Sequence, residues 1–403
     1  MPDLTEKKER LYEELKLKLA LGLDGVYFAP EIIDELFELL PNNNVVQTKI
    51  TRDVVERLNY NVPLYFALPF GTRVFTRGNR DSLYSIEKEG DVYYAARRGV
   101  KLAQISFVDD SPAFYGKTAS GGTPMREIAM QSSWGSPHKS FTICYSEECS
   151  AKEKGDTCLF CSFNRPRRKE FELEAPPFKS PKQIGETAAA AYAEGFSHLT
   201  ITGGFIPERR EVDYYLDVAE SLQQYIGVTD FNGTACIGAP LDLSIIDKYK
   251  EAGFRTIGLN TEVWGKEWFD VICPAKVAVC GGYDNWIKTT EYAVQVFGKG
   301  KVRANFVVGL QPKERLLEGI EYLASIGVVT MPSPWVPSYG SPLEDHRTPT
   351  VDWHWDIQLK IYNILRKYGR TFNEIFDASP ARFLTHDFYE IDDGTLPVFK
   401  TAS

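Results

Sequence analysis

The sequence lacks any excess of positive charge. Its 403 residues carry 46 Lys and Arg against 55 Asp and Glu, a formal net charge of −9. A chain of that sign repels phosphate, so a nucleic-acid partner held by bulk charge is excluded. It also lacks an apolar core behind its first residues, Met1-Pro2-Asp3-Leu4, and any uninterrupted apolar run of the ~18 residues a membrane-spanning helix needs. A cytoplasmic protein with no membrane partner is therefore expected. There is no internal repeat of 20–50 residues and no low-complexity tract. What is present is ordinary globular material: 43% hydrophobic and 25% charged residues, enough for a large core and against intrinsic disorder.

Cysteine is scarce as well, seven in all, but unevenly placed. Cys144, Cys149, Cys158 and Cys161 fall within eighteen residues, while Cys236, Cys273 and Cys280 lie well downstream. Without a secretory signal, such a cluster reads as metal binding or catalysis before disulfides.

The chain changes rhythm along its length. Two helical patterns open it: Leu11 to Leu21, with Leu11, Leu15 and Leu19 at helical spacing, and Glu31 to Leu40 behind Pro30, closed by Pro41-Asn42-Asn43. Short β runs follow at Pro63–Leu68, Arg73–Thr76, Leu83–Glu87, Val92–Ala96 and Ala103–Val108, a small antiparallel or α+β module. Residues 110–138, rich in Gly, Ser and Pro, read as a connection. From Ser140 onward strands and helices alternate. Strands are expected at Ser140–Cys144, His198–Thr202, Asp230–Ile237, Thr256–Asn260, Val302–Leu310 and Val329–Val336. The helices between and after them are Ile184–Glu194, Val212–Tyr225, Leu243–Ala252, Asn285–Phe297, Lys313–Ile326 and Val351–Tyr368. Six such units predict an α/β fold, a partial (β/α)6 TIM-type barrel, with a doubly wound open sheet as the alternative. The division that follows is 1–138 for the N-terminal module and connection, 139–370 for the barrel and 371–403 for a C-terminal extension.

In either architecture the chemistry belongs at the carboxyl ends of the strands. Glycine recurs there, as in Gly203-Gly204, Gly238, Gly309 and Gly340, where a ligand can approach the backbone closely. The four clustered cysteines form C-x4-C-x8-C-x2-C. Spacing alone admits a structural four-cysteine zinc knuckle, an iron–sulfur cluster on three thiolates, a redox CxxC pair or buried structural thiols. Position favours the catalytic reading, because the cluster opens at the end of the first barrel strand in a loop of about forty residues. That loop also holds the basic run Asn164-Arg165-Pro166-Arg167-Arg168-Lys169, a solvated face or a contact for an anion or redox partner. Neither a strand-end lysine nor paired carboxylates stand out, which disfavours a metal-independent aldolase or isomerase.

With these residues in view, the sequence resembles the radical S-adenosylmethionine (SAM) superfamily, nearest to the biotin synthase and lipoyl synthase branch, over roughly residues 139–370. Cys158-Leu159-Phe160-Cys161 matches that family's C-x-aromatic-C ending. Thr202-Gly203-Gly204 is similar to its double-glycine turn, which receives the methionine amino group. Asn260 and Glu262 lie in the fourth-strand segment Gly258-Leu259-Asn260-Thr261-Glu262, and Val308, Gly309 and Leu310 in the adenine-side motif of the fifth strand. Pro337-Ser338-Tyr339-Gly340-Ser341-Pro342-Leu343 resembles the ending of the sixth. The resemblance implies a [4Fe–4S] cluster, SAM cleaved reductively to a 5′-deoxyadenosyl radical, and hydrogen abstraction from a small-molecule substrate leading to rearrangement, carbon–carbon bond formation or sulfur insertion. It also implies an electron donor such as flavodoxin or ferredoxin. The alternative is a zinc-binding scaffold protein.

Two departures stand out. The gap before Cys158 is eight residues from Cys149 or thirteen from Cys144, where the family norm is three, and the expectation leans to Cys144 as the first ligand. Phe205 stands where a Glu often follows the glycines. Cys236, Cys273 and Cys280 could ligate an auxiliary iron–sulfur cluster or serve as ordinary core. Trp264, Trp335 and Tyr339 could wall a substrate cavity or belong to the core, and Asp242 and Glu344 read as helix caps. Glu262 and Asn260 are divided between capping and ligand contact. His198 is expected at a strand start beside an exposed turn, without a role.

Overall fold

The computed structural model describes residues 4–40, 44–46, 61–108, 110–132, 139–146, 149–162, 178–338, 340–380 and 383–396. Pro41-Asn42-Asn43, the basic run at 164–169 and Tyr339 lie outside them.

Six parallel strands carry the fold: β1 (Ser140–Ser146), β2 (His198–Gly203), β3 (Phe231–Cys236), β4 (Phe254–Gly258), β5 (Val302–Val308) and β6 (Val329–Pro334). Each lies beside its predecessor in the chain. A doubly wound sheet would reverse strand order at a switch point. Here the order never reverses, so the sheet is a partial (β/α) barrel. Its β1 edge is covered by Met130–Gln131, which pairs antiparallel with Phe141 and Thr142. That strand, the 3₁₀ turns Ala113–Gly116 and Ser120–Gly122 and the helix Met125–Ile128 occupy the stretch expected to be plain connection. A two-residue strand has no periodicity to betray it, and Phe114 anchors the segment by packing edge-on to Phe196 at 5.6 Å.

The strands are built of residues that suit a pleated wall covered on both faces. Phe141, Leu199, Ile201, Ala235, Ile257, Ala304 and Phe306 are fully buried. Thr142, Thr200, Thr234 and Thr256 pair in register across four strands. Thr234 Oγ1 and Thr256 Oγ1 meet at 2.5 Å, and both reach the carbonyl of Asp377, at 3.1 and 3.3 Å. The helix Phe372–Ala378, begun by a reciprocal Thr371–Glu374 cap, thus presses its C-terminal end against the polar row. His198 opens β2 beside a turn exposed at Ala193, Gly195 and Ser197, as expected; the ring itself is wholly buried and shares a hydrogen bond with Thr234 Oγ1 at 3.0 Å. Burial lowers its pKa to about 4 against the pull of Asp377, so the ring is neutral near pH 7.

The N-terminal helix, Leu4–Asp24, serves two cores. Leu11, Leu15, Leu19 and Leu23 join the barrel core, and Ala20 and Leu21 join a smaller one with Val26, Phe28, Leu36, Phe66, Val74 and Ile86. The smaller core backs the sheet formed by Tyr27–Phe28, Tyr84–Glu89, Val92–Arg97 and Val100–Ile105. Arg77 ties this module to the strand-end rim: its guanidinium donates to the carbonyls of Leu23 and Pro337, at 2.8 and 3.3 Å. Among the described residues no helix is long and apolar enough to cross a membrane.

Candidate active site

The first strand runs two residues further than the sequence pattern suggested. A register shift against β2 falls between Cys144 and Ser146, and the strand ends at Ser146. Cys144 is therefore inside the strand, opposite Thr202, with its thiol 3.2 Å from the Ser146 carbonyl. Cys149 is the cysteine that follows the strand end. Ser150 N donates to Phe205 O at 2.7 Å, so the cysteine loop is sewn to the residue after the double glycine. Burial pushes the Cys149 thiol up, while main-chain N–H groups of Ala151 and Phe205 favour its thiolate.

Cys158 and Cys161 stand on a tight turn closed by Cys161 N to Cys158 O at 3.0 Å. The turn is strapped on both sides: Leu159 N donates to Ile272 O at 2.9 Å, and Leu343 N donates to Leu159 O at 3.2 Å. The CxxC turn is thus bonded to the segment after β4 and to the loop after β6. Cys158 is held below the ordinary thiol range, first by a hydrogen bond from Cys273 and also by the charge and main-chain N–H of Lys276, against its burial. Cys273 itself is pushed well up by burial and remains a thiol.

Lys276, on the short helix Pro274–Cys280, was not singled out in the sequence because it lies beyond the strand-end segments. Its ammonium donates to Glu262 Oε1 at 2.8 Å and to the Asn260 carbonyl, and lies 4.2 Å from the Trp286 ring centre. Burial alone would lower its pKa, but the charge of Glu262, with that of a Cys158 thiolate, holds it above the ordinary lysine value. Glu262 does not cap the next helix, whose N-cap is Gly265. It extends the β4 line instead: its N–H donates to Asn305 O and its carbonyl accepts from Val307 N, both at 2.8 Å, with φ at 67°. A non-glycine residue in that region is strained and persists where its surroundings hold it. Asn260 Oδ1 faces Asn305 N at 3.4 Å.

Thr202, Gly203 and Gly204 close β2. Gly204 N donates to Ser146 O at 2.9 Å, and a Cβ at Gly203 would lie 2.8 Å from the Tyr145 ring. Val308 O accepts from Trp335 N at 2.8 Å. Gly309, at φ 120°, lies so close to Pro349 that an added Cβ would be 3.0 Å from its ring, and Leu310 follows half-buried. Gly340 N donates to Glu344 at 2.6 Å, and Asp242 accepts from Ser244 N at 3.0 Å, a local turn contact. Trp264 packs over Gly319 and the rings of Tyr283 and Tyr322, toward the helical layer. Trp335 is buried, and its indole N–H has no partner among the described residues.

The downstream cysteines do not form one group. Cys236 lies in the barrel wall and accepts from Arg303 at 2.6 Å, Cys273 meets Cys158, and Cys280 lies beside Gly238. Burial raises all three thiol pKa values. Among the described residues no three Cys, His, Asp or Glu side chains are already gathered as they would be around a metal ion. For a [4Fe–4S] cluster the donor chemistry fits. Cys149, Cys158 and Cys161 are soft thiol donors in one bonded loop, two of them have N–H groups aimed at sulfur, and Lys276 adds positive charge beside them.

No protein-family model matches the chain. It is similar to bacteriochlorophyllide c C-7(1)-hydroxylase of Chlorobaculum limnaeum, 27% identical over 245 residues that span 57% of this chain and 61% of that one. It is also similar to the 5-amino-6-(D-ribitylamino)uracil–L-tyrosine 4-hydroxyphenyl transferase of Methanococcus vannielii, 28% identical over 172 residues, 37% of this chain and 44% of that one. The matches thus cover less than two thirds of either relative's length. Among solved structures, coproporphyrinogen III oxidase of Escherichia coli, a radical SAM enzyme, aligns with a TM-score of 0.38 and 14% identity over 61% of this chain and 55% of that one. Neither of the two relatives is named as a biotin or lipoyl synthase, so the expected branch gains no support.

Proposed function

We propose that this chain is a radical SAM enzyme acting on a small-molecule substrate, with Cys149, Cys158 and Cys161 as the ligands of its [4Fe–4S] cluster. One observation carries the reading: main-chain bonds join the cysteine loop to the double-glycine turn of β2, to the segment after β4 and to the loop after β6. Three separate strand ends and one thiolate loop are thereby held as a single rigid rim, as a shared cofactor site demands. When bound, the cluster supplies the single electron that cleaves SAM. Thr202, Gly203 and Gly204 offer backbone groups to the methionine end, Asn260 and Glu262 polar side chains to the ribose or substrate, and Val308, Gly309 and Leu310 an apolar edge to the adenine.

The chain's own residues do the rest. The Cys273 thiol and the Lys276 N–H favour thiolate at Cys158, and the Lys276 ammonium keeps the Glu262 carboxylate oriented. Buried Trp335 and Val308 keep water from the rim, which suits a reactive radical. The electron comes from a flavodoxin- or ferredoxin-type donor, and the protein works in the cytoplasm. The two relatives are named for a hydroxylation and an aryl transfer, and both names contain ring compounds; we take from them a small cyclic organic substrate.

Anaerobic reconstitution with iron and sulfide tests this reading. About four irons per chain, an EPR signal on reduction and 5′-deoxyadenosine released from SAM with dithionite are expected. A colourless protein that retains zinc and leaves SAM intact would overturn it.

A further inference from the structure

Helix Glu208–Ile226 is amphipathic, and its first turn delivers a carboxylate to the strand ends. Glu211 is buried. Its Oε1 accepts from the Tyr145 hydroxyl at 2.9 Å, and its Oε2 accepts from Gly238 N at 3.1 Å. The same Tyr145 hydroxyl lies 3.1 Å from the Gly204 carbonyl, so one hydroxyl hydrogen serves two acceptors. Burial, and then the Glu211 charge, raise the Tyr145 pKa far above its ordinary value, so the phenol remains a donor throughout the working range. One carboxylate and one phenol therefore link β1 at Tyr145, the double-glycine turn at Gly204 and the β3 end at Gly238. The Tyr145 ring also fills the space above Gly203, which only a residue without Cβ leaves open.

The geometry points to Tyr145 and Glu211 as positioning residues for SAM, a buried brace that fixes the direction of the Gly204 carbonyl. This inference rests on the proposed function, in which that turn faces the methionine ammonium. Without the brace a glycine carbonyl has the widest torsional freedom of any in the chain. With it, the acceptor is set before the ligand arrives, and less ordering is left to be done on binding. Phe205, where a carboxylate was expected, leaves the junction without a charge of its own, and Glu211 brings one from the helix.

The test uses cluster-loaded protein and measures SAM affinity by equilibrium dialysis, together with the change SAM causes in the EPR spectrum of the reduced cluster. Tyr145→Phe is expected to keep its iron and weaken SAM about tenfold, the share of one buried hydrogen bond. Glu211→Gln keeps the volume and one acceptor and should lose less. The double variant should be no worse than Tyr145→Phe alone, because both act through one carbonyl. The KM for SAM should rise while kcat at saturating SAM stays near the wild-type value. Wild-type affinity in either iron-loaded single variant, or losses that multiply in the double variant, would overturn the inference. Should Tyr145→Phe fail to fold, the affinity of Glu211→Gln decides. Failure of the iron-loaded wild type to bind SAM would instead refute the proposed function itself.

Discussion

Replacing Lys276 with Met isolates the ion pair at the candidate site. The pair is 2.8 Å long, and the two side chains are only 17% and 11% exposed. Removing one partner leaves the Glu262 carboxylate largely desolvated, and also removes the donor to the Asn260 carbonyl and the cation over Trp286. Breaking a buried pair costs about 3–5 kcal/mol, and the residual exposure places this one at about 2–3 kcal/mol. With a urea m-value of about 3 kcal/mol/M, the unfolding midpoint of Lys276→Met should fall by about 0.7–1 M. Glu262→Gln should cost less, since a neutral amide still accepts from the ammonium. In the double variant neither charge remains, so its loss should be smaller than the two single losses together by about 2 kcal/mol. Urea titration followed by tryptophan fluorescence reads all three variants. Strict additivity would refute the reasoning, because it would mean that the two groups do not stabilise each other where the fold places them.

Three further outcomes follow from the same geometry. Cys149→Ala should abolish the reconstituted cluster while Cys144→Ala retains it, read as iron per chain, since Cys144 lies within β1 and Cys149 beyond it. His198 is buried neutral with its pKa lowered to about 4, below the unfolded value. The unfolded state therefore binds more protons between those values, and stability is full above pH ~6.5 and falls by up to about 3 kcal/mol toward pH 4. His198→Gln should flatten that slope in urea titrations run at successive pH values, and an unchanged slope would show that the ring is not buried neutral. Gly319→Ala would push a methyl into the Trp264 ring and should cost about 1–3 kcal/mol, seen as a lower melting temperature.

Much of this arrangement is legible in the residues. A parallel strand buried on both faces reads as a short β-branched or apolar run, and the crossover it needs reads as a helix, so six alternations forecast six adjacent strands. The CxxC turn is legible because two thiols at that spacing have few other uses. What is not legible depends on contacts distant in sequence. That β1 runs two residues past Cys144 depends on a register shift at Cys144/Ser146, and a two-residue slip of strand end leaves no mark on hydrophobic pattern. The stretch read only as a C-terminal extension contributes the helix Phe372–Ala378, whose last carbonyls meet Thr234, Thr256 and Arg303, partners more than 70 residues away in sequence.

Glu211 differs from these, because a signal for it did exist. On helix Glu208–Ile226 the buried stripe runs through Tyr215, Val218 and Leu222, and stepping back four residues from Tyr215 lands on Glu211. A carboxylate in line with an apolar stripe is a local violation of the pattern that specifies the helix. Such a residue either weakens the fold or meets partners made for it, and here Tyr145 and Gly238 are those partners. The same rule leaves Asp213 and Asp217 alone, since both lie off the stripe and are exposed. A charge in register with a buried face thus marks a place where partners are to be sought, and Gly203 and Gly204 show nothing of it themselves.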